Sequence, residues 1–163
     1  MLTIHKDRDD ITPALRELLG KLSDFSEPMD GIGSAIKGRI SGRFETQTDP
    51  NGQAWHPWAE STDKYYPRPG SKAASKTGKV GNGRLLDRYG DMLRDLNYQP
   101  GQTEVTIGFA HGYATHHEFG TKKNGNKHIP RRGLIFANPQ SETLSADDEQ
   151  AVIDIINNWL ELA

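Results

Sequence analysis

The chain has 163 residues, a length typical of one domain. Its 20 basic and 22 acidic residues give a formal net charge of −2, which excludes a protein that coats nucleic acid through a basic surface. The absence of cysteine excludes disulfides, thiolate nucleophiles and cysteine-ligated metal centres. No apolar run reaches the ~18 residues of a membrane-spanning helix, and the N-terminus lacks the apolar core of a secretory signal. We therefore expect a soluble, cytosolic protein without a membrane partner.

Two amphipathic helices are predicted in the first third of the chain. Thr12–Pro13 suits a helix start, because proline there loses no hydrogen bond, and Ser26–Glu27–Pro28 interrupts the pattern. The first apolar stripe consists of Ile11, Leu15, Leu18, Leu19 and Leu22, and the second of Met29, Ile32, Ile36, Ile40 and Phe44. We assign both stripes to the hydrophobic core.

A turn and two tryptophans follow the second helix. The sequence Asp49–Pro50–Asn51–Gly52 favours a tight turn, since proline presets φ and Asn-Gly tolerates positive φ. Trp55 and Trp58 are predicted to cover the core as a hydrophobic plug. An anchor in a protein interface is the alternative interpretation.

Residues 64–84, here called the basic arm, have an unusual composition. They contain Lys64, Arg68, Lys72, Lys76, Lys79 and Arg84 and no acidic residue. Because the arm has few large apolar groups, we predict a long flexible insertion loop at about 67–84 within a single domain over residues 1–163. It is either a solvated loop or an arm that orders against an acidic surface or a phosphate backbone.

The second half of the chain predicts further helices and one hairpin. An apolar stripe over 85–93 indicates a helix, and alternation around Pro100–Gly101 up to Phe109 indicates two antiparallel strands. A last helix begins after Ser145, which we expect to cap it together with Asp148. The elements predict an α+β fold, with a small antiparallel sheet packed against several amphipathic helices.

A short helix is predicted between Tyr113 and Phe119, ended by Gly120. We expect Tyr113 and Phe119 to be buried and His117 to be hydrogen-bonded nearby. The polar stretch 121–128 is predicted to be an exposed loop, and Ile129–Pro130 opens an extended piece that reaches Phe136.

Catalytic motifs find little support in this chain. His111, His116, His117, Glu118 and His128 are metal-ligand candidates. They lack the H-E-x-x-H spacing that places two imidazoles one helical turn apart. The glycines match neither the Walker spacing nor a dinucleotide-binding loop. We therefore expect no enzyme activity, no catalytic or metal site and no cofactor.

The order of several short motifs resembles the phage virion morphogenesis family, the tail-completion group of Mu-like and related tailed phages and prophages. The motifs extend over residues 30–160. They comprise Arg43, Phe44, Gln47, Asp49, Pro50, Gly52, Trp55, Pro57 and Thr62; the stretch 85–93; the strand ending at Gly108; Tyr113, Ala114, His117, Phe119 and Gly120; and Ile129, Pro130 and Arg132.

The resemblance implies a small structural subunit that forms a ring at the head-proximal end of the tail and joins tail to head. Expected partners are other copies, with a hexamer as one candidate ring, tail-tube or terminator proteins, head–neck proteins and the DNA in the channel. The protein would occupy the host cytoplasm during assembly and then the virion.

Three functions compete at this point: an assembly protein, a DNA-binding module that uses the basic arm, and a metal-dependent hydrolase. For the first, we expect the interface to include Lys72, Lys76, Lys79, Lys122, Lys123 and Lys127. These lysines lie in polar, turn-rich stretches that suit contact with neighbours better than burial in a core.

Overall fold

The computed structural model describes residues 11–121 and 128–161. The described helices are α1 (Ile11–Leu22), α2 (Ser26–Thr46), α3 (Glu60–Lys64), α4 (Lys72–Thr77), α5 (Asp91–Arg94), α6 (Tyr113–Phe119) and α7 (Ala146–Glu161), and the strands are β1 (Leu96–Pro100) and β2 (Val105–Phe109). The predicted α+β class is confirmed. None of the described helices is long and apolar enough to cross a membrane.

Helix α2 lies at the centre of the fold and packs against the hairpin and α7. Its apolar residues recur every four positions from Ile32 to Phe44, so they share one buried face. Trp55 covers the end of this face and contacts Phe44 edge to face, with ring centroids 5.5 Å apart. The predicted core stripe of α2 and the plug formed by Trp55 are confirmed.

The predicted hairpin is confirmed: β1 and β2 pair antiparallel, with Leu96 opposite Phe109 and Pro100 opposite Val105. Its inner side lies against α2, where Gly33 allows the Tyr98 ring to approach the helix backbone. A Cβ atom at Gly33 would lie 2.1 Å from Tyr98 Cδ2. Residue size at this position therefore controls how closely the hairpin can pack.

Helix α7 is joined to α2 by a buried ion pair. Ser145 caps α7 as predicted, since its Oγ accepts a hydrogen bond from the backbone N–H of Asp148 at 3.2 Å. The fully buried Asp148 carboxylate also accepts hydrogen bonds from Arg39 and Arg43 of α2. Burial alone would raise the pKa of Asp148, but the two arginines and Ser145 hold it below its ordinary value.

Two expectations about helices are wrong. The stripe of α1 is predicted to lie in the core, but its residues Leu15, Leu19 and Leu22 are exposed. Apolar spacing shows which side chains share a helix face, and it does not show whether another element covers that face. In the stretch 85–93, only the last three residues are helical, as the start of α5 (Asp91–Arg94). Side-chain hydrogen bonding competes with helix formation there: the Asp87 carboxylate accepts from the Leu93 N–H at 3.2 Å.

The basic arm has more local structure than its composition predicts. Helix α4 is capped by Ser71 and ends at Gly78, whose φ is 66°. Tyr66 is buried, stacks on Trp58 with ring centroids 4.5 Å apart, and accepts a hydrogen bond from the Gly83 N–H at 2.9 Å. The arm therefore has an aromatic anchor that we did not expect, whereas its mobility stays a prediction.

The substitution Gly33→Ala should destabilise the fold, because the new methyl group would overlap the Tyr98 ring. Overpacking costs about 1–3 kcal/mol of stability. This cost exceeds the roughly 0.5–1 kcal/mol by which alanine stabilises a helix relative to glycine. Gly38→Ala in the same helix is the control, since a Cβ there meets nothing within 4 Å. Urea unfolding should show Gly33→Ala less stable and Gly38→Ala at least as stable as the wild type; equal stability of the two variants would contradict this packing.

Candidate functional site

The motif residues converge on an extended segment, residues 129–136, here called the docked segment. It belongs to neither strand of the described sheet. The Glu118 carboxylate of α6 accepts hydrogen bonds from the backbone N–H groups of Leu134 at 2.6 Å, Ile135 at 2.9 Å and Phe136 at 3.0 Å. One buried side chain thus supplies the acceptors that a neighbouring strand would otherwise provide.

The carbonyl groups of the docked segment are also bound by side chains. Arg43 donates to the Leu134 carbonyl at 2.6 Å, and the Trp55 indole N–H donates to the Gly133 carbonyl at 3.0 Å. Arg131 donates to the Phe136 carbonyl within the segment. Because Arg43 also binds Asp148, the same guanidinium connects α2, α7 and the docked segment.

Arg132 joins the docked segment to residues 55–58, here called the tryptophan loop. Its guanidinium donates to the carbonyls of His56 at 2.7 Å and Pro57 at 2.9 Å. The residue is buried, and this burial lowers the pKa of Arg132. Its hydrogen bonds are thus made to the protein's own backbone.

Gly120 allows α6 and the docked segment to approach each other. Its φ is 71°, and a Cβ would lie 3.1 Å from the Arg131 nitrogen and 3.2 Å from the Ile129 oxygen. The expected burial of Tyr113 and Phe119 is wrong, since they are 38% and 44% exposed. Helix α6 instead points Ala114 and Glu118, four residues apart, towards the interior.

His117 is half-buried, and it is hydrogen-bonded differently from the expectation. Its backbone carbonyl accepts from the Arg132 N–H at 2.8 Å, whereas its ring Nδ1 has no hydrogen-bond partner among the described residues. Burial, the Arg132 charge and His116 together lower the pKa of His117 to about 4. The imidazole is therefore neutral at pH 7.

The predicted turn at Asp49–Gly52 supports the same region. Asp49 accepts hydrogen bonds from the Asn51 and Gln53 N–H groups, both at 2.9 Å. Pro50 is buried, and Gly52 has a φ of 76°, as the turn sequence predicts. The Asp49 carboxylate also lies 3.9 Å from the Arg131 guanidinium, so the turn contacts the docked segment.

A cleft of about 660 Å³ opens between the tryptophan loop, the basic arm, α6 and the docked segment. Its lining includes Trp58, Tyr66, Arg88, His117, Pro130 and Arg132. Trp58 takes part in the stacked ring pair at one wall, and Pro130 is half-buried at another.

The metal-ligand candidates do not converge. The His111 ring lies against the Asp95 carboxylate, Glu118 binds backbone amides, and His117 lies beside Arg132. Within the described ranges, no three His, Asp or Glu side chains are close enough to hold a metal ion. From the sequence we weighed Glu118 only as a candidate metal ligand, expected no metal site, and did not predict that this carboxylate holds the docked segment.

The structure describes three of the six lysines that we expected in the interface. Lys72, Lys76 and Lys79 are exposed on the basic arm, and the Lys79 ammonium lies 5.5 Å from the Tyr89 ring centroid. Lys122, Lys123 and Lys127 lie outside the described residues.

The substitution Glu118→Gln should destabilise the protein by about 2–3 kcal/mol. The carboxylate accepts from three backbone N–H groups through its two oxygens, whereas the glutamine amide has a single acceptor oxygen. Glu104→Gln is the control, since that side chain is exposed and its loss should change stability by less than ~0.5 kcal/mol. Denaturant unfolding of both variants measures the difference. A loss as small for Glu118→Gln as for the control would show that the carboxylate does not hold the segment.

The free energy of unfolding should decrease as the pH falls from 6.5 towards 4. In this range His117 becomes protonated in the unfolded chain but stays neutral in the folded protein, so added protons favour unfolding. Asp148 does not contribute to this loss, since its lowered pKa keeps its stabilising effect intact above about 3.8. His117→Gln should therefore lose less stability than the wild type between pH 7 and pH 5 in urea titrations. His128→Gln, which removes an exposed imidazole, is the control; identical pH slopes for His117→Gln and the wild type would contradict the neutral buried state.

Comparison with known proteins agrees with the arrangement of these motifs. No curated protein and no solved structure matches the chain significantly. The sequence does match the phage virion morphogenesis family over residues 6–161, which includes every motif residue described above. This match assigns the protein a structural role in the assembly of phage virions. The chain belongs to the phage virion morphogenesis family.

Proposed function

We propose that this protein is a non-enzymatic subunit that completes the phage tail and joins it to the head, acting as a ring of identical copies. The observation that carries the proposal is the use of the polar motif residues. Asp49, Trp55 and Arg132 all bind the protein's own backbone, as does Glu118, which lies between the motif residues His117 and Phe119. A scaffold of this kind holds a surface in shape for binding, and the family supplies the virion as the setting.

The exposed parts of the molecule support action by binding. Leu15, Leu19 and Leu22 form an uncovered apolar face on α1, and the basic arm presents its lysines to solvent. Exposed apolar faces mark protein interaction sites, and the rims of such interfaces are polar. The partners that we propose are further copies, with a hexamer as one candidate, together with tail-tube or terminator proteins and head–neck proteins. The subunit would assemble in the host cytoplasm and remain in the virion.

DNA binding by the basic arm is the second candidate. Lys72, Lys76 and Lys79 form no ion pair with any described residue, so their charges are available to phosphate groups. Contacts with phosphates would make the affinity fall steeply with salt concentration, independently of sequence. Binding of duplex DNA measured across a salt series distinguishes this candidate from an assembly subunit whose arm contacts protein.

Neutralising the three lysines together, as Lys72→Gln, Lys76→Gln and Lys79→Gln, should leave the fold intact, because each exposed charge affects stability by less than ~0.5 kcal/mol. The variant should nevertheless reduce the yield of infectious particles when it replaces the wild-type protein in infected cells, and unjoined heads and tails should be visible by electron microscopy. The matched control, arginine at the same three positions, keeps the charge and should complement. Full complementation by the neutralised variant would remove the arm from the proposed interface.

A further inference from the structure

We propose that the basic arm of one copy docks on the exposed face of α7 of a second copy. This inference rests on the self-association in the proposed function and identifies its two surfaces. The α7 surface, here called the acidic face, consists of Asp147, Glu149, Ile153, Asp154, Leu160 and Glu161.

The acidic face is a region of unpaired negative charge. Residues 133–163 contain six acidic residues and no lysine or arginine. Asp148 is neutralised by Arg39 and Arg43, whereas the charged residues of the acidic face form no ion pair with other described residues. Asp147, Asp154 and Glu161 lie seven positions apart and share one side of the helix. Glu149, Ile153 and Leu160 share the adjoining side. Ile153 and Leu160, 48% and 40% exposed, add apolar area between the carboxylates.

The basic arm has the opposite character. Arg68 is paired with Asp63 and Arg84 with Glu45, but Lys72, Lys76 and Lys79 form no ion pair within the described structure. The arm also carries exposed apolar groups, Tyr65 at 69% and Val80 at 53% exposure. Each of the two surfaces therefore combines several unpaired charges of one sign with large apolar side chains.

Charge complementarity favours a second copy as the occupant. The basic arm contains six basic and no acidic residues, and residues 133–163 contain six acidic residues and no lysine or arginine, so the two segments carry opposite charges. No ion pair joins the arm to α7 in the described part of the chain, so both surfaces are available to another molecule. Contact between two different surfaces of identical subunits is heterologous, and such contacts generate rings when the rotation closes.

Charge reversal provides a test with an internal rescue. The arm variant carries Lys72→Glu, Lys76→Glu and Lys79→Glu, and the α7 variant carries Glu149→Lys, Asp154→Lys and Glu161→Lys. A combined variant carries all six substitutions. Sedimentation velocity of the full chain over a concentration series measures self-association at low and high salt, and circular dichroism checks that each variant is folded.

We expect wild-type self-association that weakens as salt is added, since exposed charges are screened. The arm variant alone and the α7 variant alone should each associate at least about tenfold more weakly than the wild type, because like charges then lie opposite each other. The combined variant should recover affinity to within about threefold of the wild type, since its two surfaces are complementary again. The two variants, when mixed, should associate with each other, because every arm then faces an α7 surface of opposite charge. Neither variant should associate with itself, so unlike copies should alternate in the assembly.

Several results would overturn the inference. The first is association that is unaffected by the single reversals, which would place the interface elsewhere while leaving a ring intact. The second is a wild type that stays monomeric at every concentration. The third is loss of DNA binding in the arm variant together with an α7 variant that associates normally, which would assign the arm to DNA. The proposed function fails separately, if cells lacking the protein still produce joined heads and tails.

Discussion

A buried length of backbone without a strand partner is the constraint on which the rest of the structure depends. Backbone N–H and carbonyl groups removed from water must be hydrogen-bonded, and the docked segment satisfies this requirement through side chains. Glu118 binds its N–H groups, while Arg43 and Trp55 bind its carbonyls. These three residues come from α6, α2 and the tryptophan loop, so binding the segment also fixes those elements relative to one another. The pairing of Arg43 with Asp148 extends the same network to α7.

This constraint accounts for three side chains in this region whose types are common in catalytic sites. A glutamate, an arginine and a histidine close together in sequence or space often indicate catalysis. Here the glutamate and the arginine bind backbone groups, and the histidine is kept neutral at pH 7 by burial and by the neighbouring Arg132. The rigid scaffold leaves the basic arm, α1 and the outer side of α7 exposed. We infer that assembly acts through those surfaces.

Local patterns predicted most of the fold, because they depend on neighbouring residues. The stripe of α2, the hairpin, the Ser145 cap and the turn at Asp49 were all predictable from spacing. The roles of Glu118 and Asp148 were not, because their partners lie 16 or more positions away in the sequence. One signal was available: Arg39 and Arg43 lie one helical turn apart beside the core stripe of α2, and because like charges at this spacing repel, an acidic partner would be favourable there. Exposure of Phe119 could not be predicted, since it depends on Glu118 occupying the inner side of α6.

Amide hydrogen exchange tests the central claim most directly, because it reports on the docked segment residue by residue. If Glu118 replaces a strand partner, the amide protons of Leu134, Ile135 and Phe136 should exchange as slowly as the paired amides of β1 and β2. Glu118→Gln should accelerate exchange at these three amides more than in the hairpin. Exchange in the wild type as fast as that of an exposed loop would contradict the account.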